Sequence, residues 1–278
     1  MILFNADHIG QQIAAARRRK NMTQSALADE LGVSYQAVSN WERRQSLPDI
    51  DKYAQLSETL NIPLEDLIGS REGAKTITTI TDTDTQANID AETLTQGAII
   101  MSPDDVEAKV TSVSPKIKNL IKLAPFISQA TLFEKVSAQA TSPDFPTYLH
   151  KLAPFLTNDD LERLIATVSP DNPDRIRMLG KLAPFRAKTL NDQLVDDLVD
   201  ADADTGAIRQ FFPFISAEKA DTLFANDENR FLTSLAPFVS DTALIEKVKE
   251  LQRVEDSKPI RKLMPFLSEE TLLNLFDI

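Results

Sequence analysis

The chain has 278 residues, 42% of them hydrophobic and 26% charged, with a formal net charge of −12. That length suits two domains, or one small domain and an extended array, and the composition is that of an ordinary folded protein. The absence of cysteine excludes disulfides, thiolate metal ligands and a cysteine nucleophile.

Only 7 Gly and 3 Tyr occur, and Ala and Leu abound, a balance that leans toward helix. The start, MILFNADHIGQQ, has no basic leader and too short an apolar run for a signal peptide. No stretch reaches the length of a membrane-spanning helix. The expectation is an all-α cytoplasmic protein with no membrane partner. Charge is uneven. Residues 1–70 hold 7 Lys+Arg and 9 Asp+Glu, so most of the acidity lies beyond them. Their bases cluster at Arg17, Arg18, Arg19 and Lys20 and at Arg43 and Arg44. A local basic face matters more to a polyanionic partner than the distant total, because charges beyond a Debye length are screened.

Residues 1–70 alternate helical patterns with turn signals. Ile9 and Ile13 give a first helix its apolar side. Thr23 is placed to cap a second helix, whose Leu27, Ala28 and Leu31 face inward. Gly32 permits a tight turn, and Ser34 caps a third helix with Val38 and Trp41 toward the core. Tyr35, Gln36, Ser39 and Asn40 are then left outside. Pro48 precedes a fourth helix with Ile50, Tyr53 and Leu60, and Pro63 begins a fifth with Leu64, Leu67 and Ile68.

Over residues 8–69, from "IGQQIAAARRRKNMTQSALADELGVSYQAVSNWERRQ" to "LEDLIG", the sequence resembles the Cro/lambda-repressor-like helix-turn-helix family, also called XRE. The likeness covers about a quarter of the chain. It implies a five-helix domain that binds double-stranded DNA, with the third helix in the major groove and the second across the backbone. It implies base readout by Tyr35, Gln36 and Asn40, with Ser39 beside them, since side-chain amides pair with base edges. Gln24 and Ser34 match positions that meet phosphates, and Arg43 and Arg44 extend the backbone contacts. The family often has Gly after "WER". Arg44 stands at that point, and a left-handed backbone there costs a non-glycine residue roughly 1 kcal/mol.

Residues 71–101, "REGAKTITTITDTDTQANIDAETLTQGAIIM", carry eight Thr and no lasting apolar period. They read as a flexible Thr-rich linker, with a short strand in "KTITTI" as the alternative.

From residue 102 to 278 the chain repeats itself. The variants LAPFIS, LAPFLT, LAPFRA, FFPFIS, LAPFVS and LMPFLS place Phe at 126, 155, 185, 214, 238 and 266. A period in this range signals stacked units. Apolar residues three and six before each Phe share a helix face. The Pro limits the helix, and Ser128, Thr157, Ala187, Ser216, Ser240 or Ser268 follows as an N-cap position. Apolar residues stand just before the cap and four and eight beyond it in most units. The third unit loses cap and staple together, with Arg186, Ala187 and Asn191. Ser114-Pro115, Ser142-Pro143 and Ser169-Pro170 read as helix starts. The expectation is an α-solenoid of about six helical hairpins, none able to bury its apolar face alone.

The two histidines, His8 and His150, suit no triad, and neither a phosphate loop nor metal-ligand spacing appears. No catalytic residue, metal or cofactor is assigned. The array is expected to serve oligomerisation, as a homodimer, or to bind a protein partner. The alternative is a peptide- or ligand-sensing array. The apolar end SEETLLNLFDI, with Leu272, Leu273, Leu275, Phe276 and Ile278, suits a subunit contact.

Overall fold

A computed structural model describes residues 3–82, 89–226, 230–253 and 257–276, with no strand among them. The chain divides into two compact units, Met1–Ser142 and Pro143–Ile278.

The first unit opens with α1 (Ala6–Arg19), α2 (Gln24–Leu31), α3 (Tyr35–Glu42), α4 (Lys52–Leu60) and α5 (Leu64–Ile68). It continues without a break into α6 (Arg71–Thr81) and α7 (Ala91–Gly97). The linker reading of 71–101, and the strand alternative within it, are corrected. Ser70 caps α6 by accepting from Gly73 N at 3.1 Å. Ala74, Ile77 and Ile80 recur every three residues and are buried. The threonines that suggested disorder satisfy themselves inside the helix: Thr76, Thr78 and Thr81 donate to the carbonyls of Glu72, Ala74 and Ile77 at 2.9–3.0 Å. Packing outweighs their weak helix propensity. At Gly97 a Cβ would meet Ile80 Cδ1 at 2.1 Å, so α7 approaches α6 only because that residue lacks a side chain. One apolar core runs from Phe4 to Leu123, and Ile50 N donates to Ile100 O at 2.6 Å. The fifth helix of the N-terminal domain is thereby joined to the array by packed helices. Residues 83–88, also read as linker, lie outside the described residues.

α7 is itself the first arm of a hairpin. Ala98–Ile100 form a 3-10 turn, Ser102 caps the next helix, α8 (Pro103–Val110), and Asp105 N donates to Ser102 Oγ at 3.2 Å. Leu94, Ala98 and Ile100 stand where later units place Leu, Ala and Phe. The array therefore holds one hairpin ahead of the six expected. α9 (Ile117–Leu123) and α10 (Gln129–Ser137) form the next.

The second unit repeats the pattern in α11 (Phe145–Leu152), α12 (Asn158–Ala166), α13 (Arg175–Leu182), α14 (Lys188–Asp200) and α15 (Thr205–Arg209). It ends with α16 (Ala217–Asn226), α17 (Leu232–Leu235), α18 (Asp241–Arg253), α19 (Ser257–Leu263) and α20 (Glu269–Phe276). Each Ala-Pro-Phe, or its variant, is a 3-10 turn. The proline has no N–H to continue the α ladder, so the helix tightens and the chain leaves extended, as at Leu156 (φ −106°, ψ 153°). The next residue caps the following helix. Ser128, Thr157, Ser216, Ser240 and Ser268 each accept from the N–H three residues on, at 3.1–3.2 Å. The Ser-Pro pairs are not helix starts. α9, α11 and α13 begin at Ile117, Phe145 and Arg175. At Ser169 the chain turns instead, its carbonyl accepting from Asn172 N at 3.1 Å. Reversal between hairpins needs these extra residues.

An acidic side chain five residues past the cap stitches successive hairpins. Glu107 accepts from Ser128 N at 2.8 Å and Ser128 Oγ at 2.7 Å. Asp192 accepts from Ser216 N at 2.8 Å, and Asp221 from Ser240 N at 2.7 Å. Glu162 at the equivalent place binds Arg186 through both oxygens, at 2.7 and 3.0 Å. The third unit of the repeat reading thus replaces its apolar staple with a polar network. Arg186 Nη1 donates to Asn191 Oδ1 at 3.2 Å. The fully buried Asn191 donates to Ala183 O and Phe214 O at 3.0 and 3.1 Å.

At the last unit Leu273 is 47% exposed and Met264 39%. Ile278 and the side chain of Phe276 lie outside the described residues. α14 has no side-chain cap at Ala187. Leu190 N donates only to the Ala187 carbonyl, at 3.1 Å, so Ala187→Ser adds a side-chain acceptor there and is expected to stabilise the chain by about 1 kcal/mol. Urea unfolding followed by circular dichroism measures this, and a midpoint at or below that of the parent counts against the cap assignment.

Candidate nucleic-acid interface

α2 and α3 are set at their junction by three local devices. Thr23 accepts from Ala26 N at 3.0 Å, and Ser34 from Ala37 N at 3.1 Å. Gly32 closes α2 in the left-handed region (φ 62°). Val38 is fully buried and Trp41 5% exposed, which fixes the rotation of α3. At 3.6 residues per turn the opposite side carries Tyr35, Gln36, Ser39 and Asn40. Tyr35 is 53% exposed, Ser34 and Gln36 are exposed, and Ser39 and Asn40 are half-buried.

These side chains are joined to one another. Gln36 Nε2 donates to Asn40 Oδ1 at 3.0 Å, and Arg43 Nη2 donates to the same oxygen at 2.8 Å. Arg43 Nε also donates to Ser39 O at 3.3 Å. The structure therefore brings Gln36, Ser39, Asn40 and Arg43 onto one ridge. Arg44 leaves it. Its backbone is left-handed (φ 66°), and its guanidinium pairs with Asp7 at 3.3 Å on the exposed edge of α1. The strain expected at a non-glycine residue is present there.

Gln24 does not face outward freely, because its Nε2 donates to Glu42 Oε2 at 2.7 Å. Glu42 also receives Arg17 through both oxygens, at 2.5 and 2.9 Å. Arg17 Nη1 donates to Met22 O at 2.6 Å. The two side chains are 11% and 6% exposed, so this is a buried ion pair tying the end of α1, the start of α2 and the end of α3. The basic cluster of residues 17–20 is thus divided. Arg17 is structural, Lys20 donates to Thr59 O at 2.7 Å, and Arg18 and Arg19 stay exposed. Glu42 was missed as a key residue, although the signal was present. It lies four residues past the buried Val38, hence on the inward face, and a buried carboxylate requires a base.

Burial pushes the Glu42 carboxyl up, but hydrogen bonds from Arg17 and Gln24 and the charges of Arg17 and Arg18 prevail and hold it below the ordinary carboxylate range. A depressed value means stability that is present above the unfolded-state value and lost as pH falls through the folded one. Glu42→Gln leaves Arg17 buried without its counter-charge and is expected to cost about 3–5 kcal/mol at pH 7. The gap between parent and variant should narrow below about pH 4.3, the usual glutamate value. Denaturation read by fluorescence of Trp41, the single tryptophan, checks both, and a pH-independent gap would refute the ion-pair account.

Residues 13–67 match the helix-turn-helix family. Over 79 residues the chain is 27% identical to the HTH-type transcriptional activator BcrR of Enterococcus faecalis, which covers 28% of this chain and 37% of BcrR. Over 61 residues it is 30% identical to the cryptic phage CTXphi transcriptional repressor RstR of Vibrio cholerae, 22% of this chain and 54% of RstR. The chain thus spans about half or less of the length of these relatives. The crystal structure of ComR from Streptococcus suis aligns over 95% of both chains at 16% identity, with a TM-score of 0.22, too low to bear on the array. The caps, the left-handed turn, the buried tryptophan and the matched span agree: the N-terminal domain is a helix-turn-helix of the Cro/lambda-repressor-like (XRE) family.

Proposed function

We propose that the chain is a sequence-specific DNA-binding transcriptional regulator, with α3 as the recognition helix in the major groove. The observation that carries this is the outward ridge of Tyr35, Gln36, Ser39 and Asn40 on a helix whose rotation is fixed by Val38, Trp41 and the Arg17–Glu42 pair. Amide groups at base edges discriminate between bases, whereas Ser34 and the second amide hydrogen of Gln24 flank the ridge as phosphate donors. Arg44 contributes less, because Asp7 offsets its charge. One such helix meets few base pairs. We take the working form to be a cytoplasmic homodimer on double-stranded DNA, with two readers about one helical turn, roughly 34 Å, apart. The helices that join reader to array remove the basis for a loose tether, so one half-site spacing is favoured. Replacing Gln36 and Asn40 together with Ala should cost about 2–6 kcal/mol of affinity for a duplex recovered by selection, since each good amide–base pair contributes about 1–3 kcal/mol. Undiminished binding and unchanged sequence preference in a gel-shift titration would remove the reading.

A second reading gives the array a small peptide as effector. It is favoured by a cleft of about 390 Å³ lined by Glu162, Arg175, Leu179, Arg186, Leu190 and Leu194. Glu162 and Arg186 are paired with each other, so the leucines are what would hold such a peptide, through its apolar side chains. Calorimetric titration of the full chain with a short-peptide library should give saturable heat that Leu190→Glu abolishes. Heats that survive Leu190→Glu would place the peptide elsewhere.

A further inference from the structure

The ridge on α3 has an internal order that begins at Arg43. A guanidinium has donors and no acceptor. The group that faces it at 2.8 Å must therefore be the carbonyl oxygen of the Asn40 amide, not its NH₂. With Oδ1 directed at Arg43, the side chain of Gln36 can approach that oxygen only as a donor, and it does, through Nε2 at 3.0 Å. The orientation of both amides follows from one cation. Asn40 is left with its NH₂, which has no protein partner among the described residues. Gln36 is left with its Oε1 and one amide hydrogen.

We propose that Arg43 is a specificity-determining positioning residue, which sets what Asn40 and Gln36 can read rather than adding a phosphate contact. The inference rests on the DNA-reading role of α3. An Asn free to rotate pairs with adenine in bidentate fashion, accepting from N6 and donating to N7. With its oxygen occupied, Asn40 offers donors only. That matches an edge made of acceptors: guanine presents two, N7 and O6, whereas thymine presents only O4 beside its methyl group. Gln36 Oε1 remains an acceptor for adenine N6 or cytosine N4. The second bond of Arg43, from Nε to Ser39 O at 3.3 Å, anchors the guanidinium along the helix and turns it from the outer edge. Arg43 and Asn40 lie one turn apart on an exposed face, so their exchange leaves the core untouched.

Selection of binding sites from a random duplex library, with the full chain, is the test. The parent should enrich guanine at one position per half-site, and Asn40→Ala should flatten that position. Arg43→Ala should shift it toward adenine by about fivefold or more in enrichment, because the oxygen, relieved of one of its two donors, can now accept from N6. Arg43→Lys, which keeps a donor-only cation, should largely retain guanine. The slope of log affinity against log salt should be the same for parent and Arg43→Ala. The proposal is overturned if Arg43→Ala keeps the guanine preference while the salt slope falls by about one, the mark of a lost phosphate contact. If Asn40→Ala and Gln36→Ala both leave the selected sequence unchanged, the DNA-reading role itself fails, and this inference with it.

Discussion

The position of the reading helix depends on a single buried ion pair. Glu42 sits in the last turn of α3, where the helix dipole is unfavourable to an anion. It is stable there because Arg17, from the last turn of α1, meets it with two hydrogen bonds, and Gln24, in the first turn of α2, adds a third. Arg17 in turn satisfies the carbonyl of Met22 in the bend between α1 and α2. Three helices therefore share one electrostatic knot, and each loses its register if the knot opens. Burial of Val38 and Trp41 fixes which face of α3 meets the core, and the directional bonds to the Glu42 carboxylate reinforce that rotation at the end of the helix. The outward presentation of Gln36 and Asn40 is a consequence of an inward constraint on Glu42.

The chain is a polyanion that carries a device for binding a polyanion. The structure resolves this more sharply than the charge count. Of the basic residues in the reader, Arg17 is buried in its ion pair, Lys20 bonds a backbone carbonyl and Arg44 is paired with Asp7. Few cations remain uncommitted, chiefly Arg18 and Arg19. On the proposed reading few free charges are left for phosphates, and the amide ridge is the group of side chains proposed to discriminate between base edges.

Much of this was legible in the residues. The caps Thr23 and Ser34, the left-handed Gly32 and the inward Val38 and Trp41 follow from spacing alone, because each is a local effect. The same holds for the LAPF turns and five of their caps. Residues 71–101 were misread because their helical signal is tertiary. The threonines hide a three-residue apolar step at Ala74, Ile77 and Ile80, and the close approach at Gly97 becomes visible only when α6 and α7 meet. The hairpin of α7 and α8 escaped because Ile99 and Ile100 replace Pro and Phe. The acids that stitch hairpins, such as Glu107 and Asp221, recur five residues past a cap, yet on a helix surface they look like solvated charge. Asn191 looked like a lost contact and is a buried polar replacement that ties one turn to the next.

The N-terminal domain and the first hairpins of the array share one core. The backbone bond between Ile50 and Ile100 links the segment after α3 to the first turn of the repeats. All of this presumes that α3 enters the major groove. Methylation interference on a selected duplex tests that placement most directly. The account predicts that methylating guanine N7, on the major-groove floor of each half-site, blocks binding, while methylating adenine N3 in the minor groove at the same positions does not. Binding that tolerates N7 methylation and fails on N3 methylation would contradict it.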